Sequence, residues 1–152
     1  MSTEMIRLRK TTYQSVATQT TITYSVTDFE DTNIFSANLG TGEITVLKNG
    51  VYEIYCWGTT FGSSTSDTYG ATSNFIQIDT GSGFATVAEA CMPGEVNHYS
   101  ASGHIGVQPV CRYLARLTPG DKIRQQAYSD FSNSSVTPYF NRPVIAVFRV
   151  MQ

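Results

Sequence analysis

The sequence contains two histidines, a residue type that can act as a general acid or base or bind a metal ion. His98 and His104 lie six positions apart in the polar segment EVNHYSASGHIG. A zinc site needs further His, Cys or carboxylate ligands at matching spacing, and none accompanies these two residues. We therefore interpret both as surface or loop histidines, and we expect no metal and no cofactor.

The acidic residues do not suggest catalysis either. Asp67, Asp79 and Asp121 adjoin Gly-rich turns, where a carboxylate stabilises the turn itself. Glycoside hydrolysis needs two facing carboxylates, and a calcium loop needs closely spaced Asp and Asn ligands. The sequence has neither pattern, and it has no GxSxG, GxGxxG, P-loop or HExxH motif. We expect a protein that is not an enzyme.

The cysteines indicate the redox environment. Cys56, Cys91 and Cys111 are odd in number and lack CxxC spacing. Cys56 and Cys111 fall inside predicted strands, so we interpret them as small buried hydrophobic residues rather than as a disulfide or a reactive thiol. No signal-peptide pattern follows MSTEMIRLRK, and no stretch approaches the length of a membrane span. We expect synthesis in a reducing cytoplasm.

Composition narrows the class of partner. The chain has 152 residues, which suits one domain with a substantial core. Charged residues make up 14%, against about 25% in a typical protein. The formal net charge of −2 provides no attraction for nucleic acid or an anionic membrane. A surface rich in Ser, Thr and Tyr favours contacts with proteins or sugars.

Hydrophobic residues alternate with a period of two along most of the chain, which predicts β-strands. Turn residues such as Gly81-Ser82-Gly83 and Pro119-Gly120-Asp121 separate the segments. This pattern predicts an antiparallel sandwich or barrel. Residues 62–73 and 129–138 are polar and predict exposed loops. The predicted strands are 20–26, 42–46, 74–78, 84–90, 110–117, 121–128 and 144–150.

One predicted strand is apolar or aromatic on both faces. The segment TGEITVLKNGVYEIYCW, residues 41–57, predicts two strands joined by a turn at Lys48-Asn49-Gly50, where Gly50 would supply a positive φ. In the second strand Tyr52, Ile54 and Cys56 share one face, and the opposite face carries the side chains Glu53, Tyr55 and Trp57. A hydrophobic core against one face of the strand explains Tyr52, Ile54 and Cys56, but it does not explain the aromatic residues on the opposite face.

Three segments resemble the C1q and tumour-necrosis-factor-like jelly rolls: TGEITVLKNGVYEIYCW, LARLTPGDKIRQQAY and the final strand PVIAVFRV. The resemblance covers about residues 20–150 and implies an antiparallel jelly-roll sandwich that forms a homotrimer. In that family one sheet faces both the core and the threefold axis. The resemblance therefore implies a trimer interface at Tyr55, Trp57, Val110 and Arg112. The alternative is that Trp57 caps one end of the sandwich core.

We expect the N-terminal segment to be distinct from the main domain. We expect residues 1–18 to form an arm or an edge strand and residues 19–152 to form the jelly-roll domain. The N-terminal segment contains the only clustered basic stretch of the chain. Its residues are expected to contact a partner shell: Met5, Ile6, Arg7, Leu8, Arg9 and Lys10.

The resemblance, with no secretory signal, collagen stalk or membrane anchor recognised, implies a virion protein of a tailed bacteriophage. The leading hypothesis is a trimeric decoration or cement protein on the capsid surface, bound to the major capsid protein and made in the host cytoplasm. The alternative is the tip of a tail fibre that binds a host-surface glycan or protein. In that case the contacts would come from aromatic residues in and beside the loops: Tyr69, Tyr128, Phe131 and Tyr139.

Overall fold

The computed structural model of the protein describes residues 4–61, 68–96, 108–131 and 138–151. In this part of the chain the regular structure is entirely β. The strands are, in chain order, β1 (Met5–Arg9), β2 (Tyr13–Ser15), β3 (Thr20–Thr21), β4 (Val26–Glu30), β5 (Phe35–Asn38), β6 (Glu43–Val46), β7 (Gly50–Phe61), β8 (Thr68–Asp79), β9 (Ala85–Val96), β10 (Cys111–Leu117), β11 (Lys122–Phe131) and β12 (Tyr139–Met151).

The strands form two six-stranded antiparallel sheets, which confirms the predicted all-β sandwich. Sheet A has the order β10-β7-β12-β1-β4, and β2 pairs with β12 outside this path. Sheet B has the order β5-β6-β11-β8-β9, and β3 pairs with β11. Most connections along the chain pass from one sheet to the other.

The core lies between the two sheets and is built by alternate residues of their strands. In sheet A, Ile6 and Leu8 of β1 and Ile54 of β7 are fully buried. In sheet B, Ile44 of β6 and Ile123 of β11 are fully buried as well. Alternation along a strand sends the intervening side chains to the opposite face. Each sheet therefore has a second face, which points away from the core.

A chain of buried hydrogen bonds crosses the core and links the sheets. The Tyr24 hydroxyl donates to Gln125 Oε1 (2.7 Å), and the Gln125 amide donates to Asn74 Oδ1 (2.9 Å). Asn74 Nδ2 then donates to the carbonyls of Cys56 (2.9 Å) and Pro109 (3.1 Å). Buried amides need such partners, so this chain ties β8 and β11 of sheet B to the backbone of β7 in sheet A.

Residues 5–9 differ from the expected arm or edge strand. β1 lies inside sheet A and pairs with β12 on one side and β4 on the other. Val16, also within the expected arm, is fully buried in the core. The N-terminal segment is therefore part of the sandwich, because its alternating apolar residues complete the core face of sheet A.

The turns predicted at Lys48-Asn49-Gly50 and Pro119-Gly120-Asp121 join strands of different sheets, so neither closes a hairpin. Lys48 and Asn49 lie between β6 of sheet B and β7 of sheet A, and Pro119-Gly120 lie between β10 of sheet A and β11 of sheet B. Gly50 does not adopt a positive φ, although Gly120 does (φ 99°). A Cβ at Gly50 would lie 2.7 Å from the carbonyl oxygen of Met151, so close approach to backbone, not φ, requires glycine there.

The expected loops are also shorter than predicted. Residues 68–73 belong to β8, and residues 129–131 belong to β11. Thr72 and Ser129 are buried and share a hydrogen bond between their hydroxyls (2.8 Å). Small polar residues can therefore occupy the core side of a strand when they bond to each other, which composition alone did not indicate.

Gly42 provides a test of the β5–β6 turn. Its φ is 70°, and a Cβ there would lie 1.9 Å from the carbonyl oxygen of Ile22. Gly81 also has a positive φ (105°), but a Cβ there would meet nothing within 4 Å. We expect Gly81→Ala to lower the free energy of unfolding by about 1–2 kcal/mol through backbone strain. Gly42→Ala should lower the free energy of unfolding by about 1–3 kcal/mol more than Gly81→Ala, because its Cβ would also clash with the backbone of Ile22.

Urea unfolding of the two variants beside the wild type measures this difference. Equal losses of stability in Gly42→Ala and Gly81→Ala would contradict the close approach of the turn to Ile22.

Candidate functional site: the outward face of sheet A

The outward face of sheet A carries a groove of about 500 Å³, which we call the aromatic groove. Its lining comes from the three central strands, β1, β7 and β12. The lining is mostly apolar, with one cation and one carboxylate. The lining residues are Met5, Arg7, Glu53, Tyr55, Trp57, Ala146 and Phe148.

Strand register brings these side chains together. Met5 lies opposite Phe148 in the β1–β12 pair, and Arg7 lies opposite Ala146. In the β12–β7 pair Ala146 lies opposite Tyr55. Directly opposite residues of antiparallel strands point to the same face. The same register that buries Ile6 and Leu8 therefore exposes the groove.

Ring contacts hold the groove in one arrangement. Tyr55 and Phe148 meet edge to face, with ring centroids 6.1 Å apart and planes at 86°. The Arg7 guanidinium carbon lies 5.9 Å from the Trp57 ring centroid, and that of Arg112 lies 5.5 Å from the Tyr55 ring. Cations at these distances are attracted to the negative faces of the rings. The rings are thus oriented before any partner binds.

A charge pair borders the groove. Arg112 Nε donates to Glu53 Oε1 (2.7 Å), and its Nη2 contacts the same oxygen. The hydrogen bond from Arg112 lowers the pKa of the Glu53 carboxyl below its ordinary value. Arg112 thus connects the edge strand β10 to the carboxylate and to the Tyr55 ring on β7.

The structure places three of the four expected interface residues together. Tyr55 and Trp57 line the groove, and Arg112 contacts two of its side chains. Val110 lies just before β10, is 56% exposed and does not line the groove. Trp57 is half-buried on the outward face beside Arg7, outside the buried core cluster. It does not have the position expected of a residue that caps the core.

The sequence reasoning missed much of the lining. The sequence predicts a capsid contact for Met5 and Arg7. It predicts no interface role for three further lining residues: Glu53, Ala146 and Phe148. The alternation of MIRLR contains a signal for the two faces of β1. VIAVFRV is apolar at all but one position and contains no such signal. Only the pairing of the two strands places them beside Tyr55.

The residues expected to contact a capsid divide between three environments. Ile6 and Leu8 are fully buried in the core, so they are unavailable to any partner. Met5 and Arg7 line the aromatic groove. Arg9 and Lys10 lie further along the outward face and remain half-buried.

The aromatic residues expected to bind a ligand lie at or near strand ends. Tyr139 begins β12 and meets Tyr13 of β2 edge to face, with centroids 4.8 Å apart. Tyr128 lies on β11 and is half-buried. Tyr69 and Phe131 belong to β8 and β11, but their side chains lie outside the described residues, as do both histidines and Asp67.

Two of the three cysteines have the buried positions predicted for them. Cys56 and Cys111 are directly opposite each other in the β10–β7 pair, and both are buried and unbridged. Burial raises the pKa of the Cys56 thiol well above its ordinary value, which disfavours the reactive thiolate. Cys91 on β9 is free and exposed.

Within the described ranges, His, Cys, Asp and Glu form no group of three or more that could hold a metal ion. The same residues include no helix long and apolar enough to cross a membrane.

The Glu53–Arg112 contact predicts a measurable titration. In Arg112→Met the pKa of the Glu53 carboxyl should rise towards the ordinary glutamate value, because its hydrogen-bond donor is lost. In the wild type the contact stabilises the fold at neutral pH, and this contribution is lost as pH falls through the lowered pKa.

Carboxyl NMR titration of Glu53 in the wild type and Arg112→Met tests this shift. Arg116→Met is the control, because Arg116 is exposed on the same strand. An unchanged Glu53 pKa in Arg112→Met would contradict the contact.

Comparison with known proteins identifies the fold. No family model matches the sequence, and no curated protein sequence is significantly similar to it. Among solved structures, the globular domain of zebrafish complement 1qA protein is similar over 98% of each chain, with 14% identity and a TM-score of 0.64.

Two tumour-necrosis-factor-type structures are similar as well. Murine APRIL matches 97% of this chain and 99% of its own, with 11% identity and a TM-score of 0.63. Eiger TNF from S. frugiperda matches 97% of this chain and 92% of its own, with 13% identity and a TM-score of 0.54. At this identity the similarity shows the fold alone: the chain has a C1q/TNF-like jelly-roll fold.

Proposed function

We propose that the chain is a non-enzymatic assembly protein that forms a homotrimer through the aromatic groove. The observation that supports this proposal is a preformed aromatic surface on the sheet face opposite the core. Groups of exposed apolar residues of this kind typically mark interaction sites. Aromatic residues and Arg are also enriched in the centres of protein interfaces.

The neighbouring surface is suited to a larger contact. Leu114 on the edge strand β10 and Phe29 on the opposite edge strand β4 are more than half exposed. Both edges of sheet A thus offer apolar side chains beside the groove. A groove on one subunit that receives a different surface of the next produces a closed ring when the rotation closes, as in a trimer.

For the biological role, we propose a decoration protein on the capsid of a tailed bacteriophage. The support is the family resemblance of the sequence segments, together with the lack of the catalytic motifs sought in the sequence and of a metal-binding group among the described residues. Three identical footprints on one trimer would reinforce one another against a repeating shell, even if each footprint is weak. Of the N-terminal residues expected to contact the capsid, Arg9 and Lys10 are half-buried and lie outside both the core and the groove lining.

Trp57→Ala should dissociate the proposed trimer. Truncation of a central interface tryptophan typically removes about 2 kcal/mol or more of binding free energy, roughly a 30-fold loss of affinity for each copy of the contact. Sedimentation velocity at micromolar concentration should show a shift from a species of three times the chain mass to the monomer. Circular dichroism should confirm that the sheets persist.

Tyr128→Ala is the matched control, because Tyr128 is a half-buried aromatic residue on the other sheet. A wild type that sediments as a monomer would contradict the proposed homotrimer. A trimer that persists unchanged in Trp57→Ala would contradict the proposal that the groove is its interface.

The capsid proposal predicts the copy number of the chain in purified virions. Quantitative mass spectrometry against the major capsid protein should give a number that scales with the capsid lattice. A few copies, in a multiple of three, would instead favour the tail-fibre tip, whose contacts would come from the strand ends near Tyr139. Absence of the chain from virions would contradict both virion roles.

A further inference from the structure

A second pocket, of about 460 Å³, adjoins the aromatic groove and has a different chemistry. Of the ten Lys and Arg residues in the chain, four line it. This concentration is unusual in a protein with a net charge of −2. We call it the cationic pocket, and its lining residues are Arg7, Arg9, Lys10, Thr11, Arg142 and Val144.

A β-bulge in β12 helps to build the pocket. The register between β12 and β7 shifts between Asn141 and Val144, and Arg142 within the shift has a φ of 48°. A non-glycine residue in this left-handed region is uncommon, and bulges often re-aim a side chain. The backbone holds the bulge in place, since the Arg142 N–H donates to Thr12 O (3.2 Å) and the Lys10 N–H donates to Pro143 O (3.0 Å).

The positive charge of the pocket is only partly neutralised. Asp28 pairs with Arg9 (Nε–Oδ1 2.7 Å) and lies 3.5 Å from Arg7 Nε. Lys10 Nζ donates to the Thr23 hydroxyl (2.7 Å), which is a neutral acceptor. Arg142 has no ion pair among the described residues. Four cations therefore face one carboxylate.

Two basic groups in the pocket are incompletely compensated. Arg7 Nε is buried and makes no hydrogen bond, although Asp28 Oδ2 lies 3.5 Å away. A buried N–H without a partner is uncommon in native proteins. Burial also lowers the pKa of Lys10, so its ammonium is partly removed from water without a carboxylate beside it. An anion in the pocket would place negative charge beside the Lys10 ammonium and beside the three guanidinium groups of the lining.

We propose that the cationic pocket binds a phosphate or sulfate group. Guanidinium groups present paired N–H donors that match the oxygens of such anions, and hydrogen bonds between opposite charges are the strongest of their kind. The pocket volume lies within the range of small-molecule sites, so the group can belong to a phosphate or sulfate ester. All lining residues come from one chain, so the inference does not rest on the proposed homotrimer.

Calorimetric titration of the full chain with inorganic phosphate, at constant ionic strength set by sodium chloride, tests the site. We expect the wild type to bind phosphate and Arg142→Asn to lose roughly tenfold or more in affinity, the typical scale of one charge-assisted contact. Asparagine tolerates the left-handed conformation, so this change removes the cation while it preserves the bulge. Arg116→Asn is the control, because Arg116 is an exposed cation on β10, outside the pocket.

Thermal unfolding in the presence of phosphate is the second measurement. A ligand that binds only the folded state raises the melting temperature. The rise should be present in the wild type and Arg116→Asn, and much reduced in Arg142→Asn. Equal responses of the wild type and Arg142→Asn, or no phosphate response in the wild type, would overturn the proposal.

Parallel titrations with sulfate and acetate define the ligand chemistry. A clearly higher affinity for phosphate or sulfate than for acetate supports a site for a tetrahedral anion. The anion with the higher affinity of these two indicates whether the ligand is a phosphate or a sulfate ester. Equal binding of acetate would overturn that specificity. A monomeric wild type that binds phosphate would leave this inference intact while it removes the proposed trimer.

Discussion

The pairing of β1 with β12 is the constraint on which the rest of the molecule depends. It places the two ends of the chain side by side in the middle of sheet A, with Met5 opposite Phe148 and Arg9 opposite Val144. A slip of one residue would turn Arg7 into the core and Ile6 outwards. An unpaired buried charge is strongly unfavourable, so the register is firmly specified. Both the aromatic groove and the cationic pocket are consequences of that register.

The buried hydrogen bonds between the sheets add a second constraint. Asn74 and Gln125 are fully buried, and each bonds to a partner fixed by the opposite sheet or by Tyr24. Loss of one partner would leave a buried amide unsatisfied, which typically costs about 1–3 kcal/mol. An apolar core tolerates small sliding movements, whereas these bonds require one relative position of β7 and β8. They therefore hold the Trp57 end of β7 in place beneath the outward face.

The alternation of apolar residues predicts which side chains share a face of a strand. It does not predict which strands are neighbours in a sheet. Alternation correctly separates Tyr52, Ile54 and Cys56 from Tyr55 and Trp57. Cys56 and Cys111 have the buried positions predicted for them, whereas Cys91 is exposed. The turn residues at Gly50 and Gly120 could not reveal that their flanking strands lie in different sheets, because a turn signal describes only local conformation. Arg142 has no local signal for a left-handed φ, since the bulge arises from pairing on both sides of β12. The clustering of its charge with Arg9 was equally hidden, because the two residues are far apart in sequence.

Arg7 connects the two sites, since it lines both the groove and the pocket. Its guanidinium faces the Trp57 ring, while its buried Nε makes no hydrogen bond. If a second copy covered the groove, this cation would lose contact with water and its charge would become more costly. An anion in the adjacent pocket would offset that cost. By thermodynamic linkage, closure of the groove would raise the affinity for the anion by the same factor by which the anion raises the affinity of the groove for its partner. The two sites should therefore favour each other, although salt screens the pocket more than the apolar groove.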